Sequence, residues 1–346
     1  MKRKVIISLI MICLISAGSI SCAREKDENV GKDFPLSRIS SGKLVVKDVK
    51  DIFPSLEEES ERFDYIEKWF GSSVSAFGDA NWSLDEKEII FSVQKGRMDI
   101  ASNIWKMRID RSYVQQLTND ENENQNLAVS PDGKKIVFET TLSWEEDSEE
   151  EIITNIYVMD VDGKNLVQLT NTGNDSSPSW SPDGKRIVFA RCQIGKGGAL
   201  WIMNSDGSNQ VQLTTDGNGA RNPSWSPDGT KIAFNAFKNQ QGDIYIINID
   251  GTSLKQLTTD PKTDECPKWS PDGTKILFGS ERSGYEDNFW IMNADGSEQT
   301  HLITKIKYTY TPSWSSDGTK IVFGGMVEPH IHPIPSLYIM TLGVQE

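Results

Sequence analysis

Apolar residues in this chain fall mostly in short runs, such as Lys231-Ile-Ala-Phe234, Arg186-Ile-Val-Phe189, Leu200-Trp-Ile-Met203 and Asp243-Ile-Tyr-Ile-Ile247. Runs this short, set between polar stretches, have the length of buried strands. Turn chemistry separates them. Ser-Pro-Asp-Gly at 181–184, 226–229 and 270–273 puts Pro at the second position of a tight turn. Its Asp bonds the local backbone and its Gly takes positive φ. A second turn, Asp-Gly at 162–163, 206–207, 250–251 and 295–296, is a hairpin signal. Beyond it come Gln168-Leu-Thr170, Gln212-Leu-Thr214 and Gln256-Leu-Thr258. The pattern predicts four short strands joined by hairpins.

The unit then returns. Trp-Ser-Pro-Asp-Gly is whole from Trp180, Trp225 and Trp269, and nearly whole as Val129–Gly133 and Trp314–Gly318. Its weakest copy is Trp82-Ser-Leu-Asp-Glu86. The intervals between first residues are 47, 51, 45, 44 and 45. Periods of this size mark blades or solenoid units. Radial repetition of four-stranded sheets buries both faces of each sheet and leaves only short edges. The expected fold is therefore all-β, a six-bladed β-propeller of four-stranded antiparallel blades over 41–346. The blade repeats start near 78, 126, 177, 222, 266 and 311.

Pro-x-Trp-Ser-Pro-Asp-Gly-x-Lys-Ile-x-Phe, then Ile-Tyr-x-Met-x-x-Asp-Gly and Gln-Leu-Thr, resembles the repeat of TolB-like β-propellers. The Gly-His and Trp-Asp pairs of WD repeats are missing. The resemblance covers roughly residues 78–342. It reaches the propeller only, because the stretch before it is too short for the separate α/β domain of TolB. It implies that the first strand of each blade lines a channel.

Two segments do not repeat. Ser336-Leu-Tyr-Ile-Met340 is the third strand of the sixth repeat, and no fourth follows it, while residues 43–49 form a strand with no repeat of its own. Pairing of 43–49 with 336–341 would complete the last blade and close the ring. Between that strand and Trp82, Pro54-Ser55 with Glu58 resembles a capping box. Phe63, Ile66 and Phe70 then lie at helical spacing and Gly71 stops the run, which predicts one short helix over 56–70. Such a stripe packs on its own core, or else docks a partner.

Composition changes the picture at the N-terminus. Lys2-Arg-Lys4 followed by the apolar run Val5–Ile15 reads as an export signal over 1–21. It leads to Ser19-Ile-Ser-Cys22, which resembles a bacterial lipoprotein cleavage site with Cys22 acylated. Residues 22–40 are polar and read as a flexible linker. A cell-envelope location, with the membrane reached only through that lipid, follows as an expectation. The net charge of −14 argues against nucleic acid as a partner. Cys192 and Cys266 lie two repeats apart, which makes a disulfide improbable. Buried thiols are expected instead.

Candidate chemistry is sparse. No Gly-x-Ser-x-Gly elbow is present. The acidic run Glu145–Glu151 is a solvated insert in the second repeat and not an EF-hand. His301 stands where the other repeats carry Gln116, Gln168, Gln212 and Gln256, a structural position. Glu328, His330 and His332 alternate, so an extended strand would point them one way. Pro329, Pro333 and Pro335 break that segment, and neither metal nor cofactor is expected.

The reading is a non-catalytic binding module, acting as a monomer on an envelope protein partner. The alternative is a carbohydrate-binding protein or polysaccharide lyase-type enzyme using the channel mouth. Turns that are nearly identical from repeat to repeat offer little to recognise, so binding is assigned to the opposite, loop-rich face. Its candidates are Trp144, Arg191, Arg221, Lys238, Tyr285, Tyr308, Tyr310, Glu328, His330 and His332.

Overall fold

The computed structural model describes residues 44–344, except 54–58, 72–73, 97–100, 143–152, 194–196, 216–218, 239–240, 284–287, 303, 305, 307–308, 310 and 328–333. The expected signal, the linker and Cys22 lie outside the described residues, as do the capping box and the acidic insert.

The repeats fold as four-stranded antiparallel sheets. In one, Arg221–Trp225, Lys231–Lys238, Gln241–Asn248 and Lys255–Gln256 lie side by side in chain order. Asp175–Trp180 opens a second such sheet and Asp264–Trp269 a third. The first two repeats share one larger sheet through a single parallel bridge, Ser102 to Glu123. The strand Leu44–Asp51 pairs antiparallel with Ile334–Val344, from Leu44 opposite Val344 to Asp51 opposite Tyr338, with one register shift between Val46 and Asp48. Its partners therefore lie further toward the C-terminus than the expected 336–341.

The repeated residues explain the sheets locally. In the first turn, Ser226 Oγ donates to Asp228 and accepts from Lys231 N, 2.9 Å away. Asp228 also accepts from Thr230 N, and Gly229 sits at φ 70°. Ser181, Ser270 and Ser315 repeat the arrangement. These hydrogen bonds hold the turn aspartates below the usual carboxylate range, Asp317 at about 2. The threonine of Gln-Leu-Thr accepts a hydrogen bond from the start of the third strand. Thr170 takes the amide of Ile156, Thr214 that of Leu200 and Thr258 that of Ile244, at 2.9–3.0 Å. A two-residue outer strand is thereby fixed to its sheet.

The core lies between neighbouring sheets. Phe91, Phe138, Phe189, Phe234, Phe278 and Phe323, one from each second strand, are all buried. Each contributes roughly 1.5–3 kcal/mol. Three of the signature tryptophans donate across to a neighbouring repeat. Trp180 Nε1 donates to Ala128 O at 3.2 Å and Trp314 Nε1 to Lys268 O at 3.4 Å. Trp82 Nε1 donates to Ser313 O at 3.2 Å, joining the first repeat to the last.

One α-helix, Glu59–Phe70, occurs among the described residues. It ends at Gly71, whose φ of 86° no side chain would favour. Ile66 and Phe70 are buried with Phe77, Phe91 and Trp105 of the first repeat, and with Val322 and Leu337 of the last. The stripe thus packs on its own core. Arg62, also on this helix, is fully buried. It donates to Asp51 Oδ2 at 2.7 Å and to Pro335 O at 3.3 Å. Asp51 in turn accepts from Phe53 N and from the Ser336 hydroxyl.

Cys192 and Cys266 form no disulfide, but the expectation of buried thiols needs correction. Both are half-buried, Cys266 because it lines a cavity described below.

Candidate functional site

On four inner strands, the residue three before the start of the signature (Val129, Trp180, Trp225 or Trp269) sits in a backbone irregularity. Asn126, Ser177, Asn222 and Cys266 have φ of 50–53°, beside shifts in strand register. Such conformations are uncommon for residues other than Gly and cluster at functional positions. Here they turn side chains inward. Asn126, Ser177, Asn222, Cys266 and Thr311, with Leu127, Pro178, Pro223 and Lys268, line one cavity. It offers about 20 Å³ to a water-sized molecule and is partly open to solvent.

A hydrogen-bonded network runs around this cavity. The Thr311 hydroxyl donates to Asp79, which also accepts the amide of Asn126. The Asn126 side chain donates to Glu139, which accepts the Ser177 amide at 2.6 Å and Gln125 Nε2 at 3.1 Å. Ser177 Oγ donates to Asn222 Oδ1, and Asn222 Nδ2 to Asn235 Oδ1, both at 3.0 Å. Asn235 Oδ1 also accepts the amide of Cys266 at 3.4 Å. Asp79, Glu139 and Asn235 thereby satisfy amides that the irregular backbone would otherwise leave unpaired.

The electrostatics are unusual for an acidic surface protein. Burial raises Glu139 to about 7, with the charges of Asp79 and Glu123 adding to it. Glu123 also rises to about 7, by burial first and by Asp79 second. Burial pushes Asp79 up against its hydrogen bonds. Lys268 is half-buried, with protein packed around its amine. That burial lowers its pKa, opposed by Cys266 and Asp79.

Residues 68–227 and 217–332 match the TolB beta propeller domain family. The chain belongs to that family. An uncharacterized protein of Agrobacterium fabrum is 31% identical over 116 residues, 32% of this chain and 38% of that relative. The match thus spans well under half of the relative's length. Among solved structures, a provisionally assigned TolB of Agrobacterium tumefaciens superposes with a TM-score of 0.60 at 22% identity. That superposition covers 78% of this chain and 90% of the other. Oligogalacturonate lyase of Vibrio parahaemolyticus superposes with a TM-score of 0.53 at 14% identity, over 89% of this chain and 96% of the lyase. At these identities the superpositions show the TolB-like propeller fold alone.

The loop-face candidates divide. Trp144, Tyr285, Tyr308, Tyr310, Glu328, His330 and His332 lie outside the described residues. Arg221 opens an inner strand, half-buried, with its guanidinium 5.9 Å from the Phe237 ring centre. Lys238 is exposed at the far end of the strand paired with it, opposite Gln241. Arg191 is placed differently. It is buried in an ion pair with Asp175, donates to Gln210 and lies over the Trp201 ring at 4.6 Å. Arg282 repeats that arrangement with Asp264, Gln299 and Trp290. His301 stacks on Trp290, with ring centres 5.1 Å apart, and burial lowers its pKa.

The network residues were not among the sequence candidates, although a signal existed. Lys268 stands just before its tryptophan, where other repeats carry Asn81, Ser179, Ser224 and Ser313. Glu139 follows its phenylalanine where others carry Ser92, Ala190, Gly279 and Gly324. Each breaks a column of mostly small residues.

Proposed function

We propose that this chain is a non-catalytic binding module of the bacterial cell envelope: a six-bladed ring whose loop-rich face captures a protein partner. The support for the ring is the pairing of Leu44–Asp51 with Ile334–Val344, together with the Trp82 to Ser313 hydrogen bond. The observation that carries the binding reading is the contrast between the two faces. The Ser-Pro-Asp-Gly turns are built alike from repeat to repeat, and their polar side chains are spent on one another and on the turn's own backbone. The opposite edges collect what differs between repeats, Arg221 and Lys238 among them.

Capture from solubilised membranes tests this reading. Arg221→Ala, Trp144→Ala and Tyr310→Ala are expected to weaken recovery of the partner at least tenfold each, a hot-spot loss. Melting should stay nearly unchanged. Lys134→Ala and Lys185→Ala, on the turn face, should change neither. The reverse pattern would overturn the assignment of the face.

Envelope location rests on the export signal and on Cys22 as the lipid-bearing residue. Cys22→Ser should move the protein from the membrane fraction to the soluble one. Unchanged fractionation would mean that the cleavage site has been misread.

The likeness to oligogalacturonate lyase keeps a second reading, a carbohydrate-binding or lyase-type channel mouth. It requires Glu328, His330 and His332 to converge with Arg221. The other basic candidate, Arg191, is already committed to Asp175.

A further inference from the structure

We propose that the turn-bearing face of the sheets rests on the lipid surface, so that the loop-rich face points away from the membrane. This rests on the envelope reading above, in which Cys22 carries lipid, and adds to it which side of the molecule meets the bilayer.

Strand direction fixes what lies on the turn face. In an antiparallel sheet the first-to-second and third-to-fourth connections fall on one edge, and the remaining links on the other. The Ser-Pro-Asp-Gly turns and the Asp-Gly hairpins therefore share an edge, and backbone hydrogen bonds join them. Val161 N donates to Lys134 O, Ser205 N to Lys185 O, Ile249 N to Thr230 O and Ala294 N to Thr274 O. Neighbouring repeats continue that edge. Gly184 lies against Pro131, Gly229 against Pro182, Gly273 against Pro227 and Gly318 against Pro271. Between the last repeat and the first, Glu86 accepts the amide and the hydroxyl of Ser316.

Two observations converge on this face. The first is where the chain leaves the sheets toward Cys22. Leu44 stands opposite Val344, at the end of the last repeat's third strand, and nearby Leu342 N donates to Thr319 O of the turn. The strand from Leu44 thus begins on the turn face, and Cys22 lies 22 positions earlier. That stretch reaches at most about 75 Å even when fully extended. A lipid at its far end raises the local concentration of membrane most at this face, so weak contacts suffice to dock it.

The second is the distribution of exposed apolar side chains. Among the described residues, Leu84, Tyr113, Leu166, Val167, Val211 and Leu254 are exposed on or beside the turns, whereas Leu142 and Ile153 are exposed on the opposite edge. The six fall in the first four repeats without a gap. Single exposed apolar residues need no explanation, but a row of them marks a surface to be covered. Leu84 is 65% and Val211 63% exposed, so the protein itself does not cover them.

The turn carboxylates are the obvious objection, because they repel anionic lipid. Their charges are matched locally. Asp85 lies 3.9 Å from Lys87, Asp132 3.8 Å from Lys134 and Asp162 2.8 Å from Lys164. Paired charges between apolar tips suit a zwitterionic lipid surface.

Acetic anhydride labelling of lysines, read by peptide mass spectrometry, tests the proposal. The full lipid-bearing chain on phosphatidylcholine vesicles is compared with the Cys22→Ser protein in solution. On vesicles, labelling of Lys87, Lys134 and Lys185 on the turn face should fall about tenfold, which takes a docking preference of only about 1.4 kcal/mol. Lys238, on the loop-rich face, should stay as reactive as in solution. Replacing Val167, Val211 and Leu254 together with serine should restore turn-face labelling, while the protein still fractionates with membranes through Cys22. Those side chains are exposed, so melting should not change. Equal labelling of the two faces on vesicles, protection of Lys238 instead, or full protection in the triple variant overturns the proposal and leaves the lipid reading standing. Fractionation that is indifferent to Cys22→Ser overturns the lipid reading, and this proposal with it. Turn-face protection that appears without vesicles and grows with protein concentration assigns the face to a second copy of this chain, and also overturns the proposal.

Discussion

Replacing Asp51 with alanine is expected to destabilise the protein by about 3 kcal/mol, the low end for breaking a buried ion pair. Melting should fall by roughly 6–12 °C. The reason is the knot that this one carboxylate holds. It accepts Arg62 from the helix, Phe53 N from the chain leading to it and the Ser336 hydroxyl from the last sheet. Arg62 is fully buried, so its charge cannot turn to water when Asp51 is lost. Asp51 itself is 24% exposed, which is why the low end applies. Asp51→Asn keeps the shape and should lose about half as much. Removing residues 23–51 takes away the whole strand and its ladder to Ile334–Val344. That truncation should cost more than about 5 kcal/mol, a large part of a domain's net stability. Parent-like melting in both proteins would show that the proposed closure between first and last repeats bears no weight.

How far the sequence reveals this molecule depends on how far apart the interacting residues stand. The Ser-Pro-Asp-Gly turn is complete within six residues, from Ser226 to Lys231, so its meaning is local and legible. The helix was legible from Ile66, Phe70 and Gly71 for the same reason. Arg62 was not. On a helix of mixed polarity it reads as part of the solvated face, whereas Asp51 and Pro335, the latter 273 residues away, hold it inside. Arg191 followed the same logic in reverse. Next to a variable loop it reads as a free contact residue, whereas Asp175, 16 residues earlier, holds it inside. The cavity network was hidden because its bonds pass between repeats, as from Asn126 to Asp79 and from Ser177 to Glu139. Comparing equivalent positions across the repeats exposes Lys268 and Glu139. Searching for spaced motifs does not.

Glu139 also gives the molecule a pH dependence that its surface does not share. Its folded value of about 7 lies above the ordinary 4.5, because burial disfavours the carboxylate. Between those values the folded protein holds a proton that the unfolded chain has released. The associated stability is fully present below about 4.5 and is lost as pH rises through 7. Glu123 acts in the same window and the same direction. The turn aspartates have depressed values and lose their contribution only in more acidic solution, so they do not mask the effect. Melting should therefore be higher at pH 5 than at pH 8. Glu139→Gln retains an oxygen for the Ser177 amide but cannot ionise. At pH 8 it should be more stable than the parent by up to about 3 kcal/mol, since one pH unit is worth about 1.4 kcal/mol. At pH 5 the two proteins should melt together. Adding Glu123→Gln should flatten the remaining slope. A variant less stable than the parent at pH 8, with an unchanged slope, would mean that Glu139 is ionised and well solvated in the folded protein.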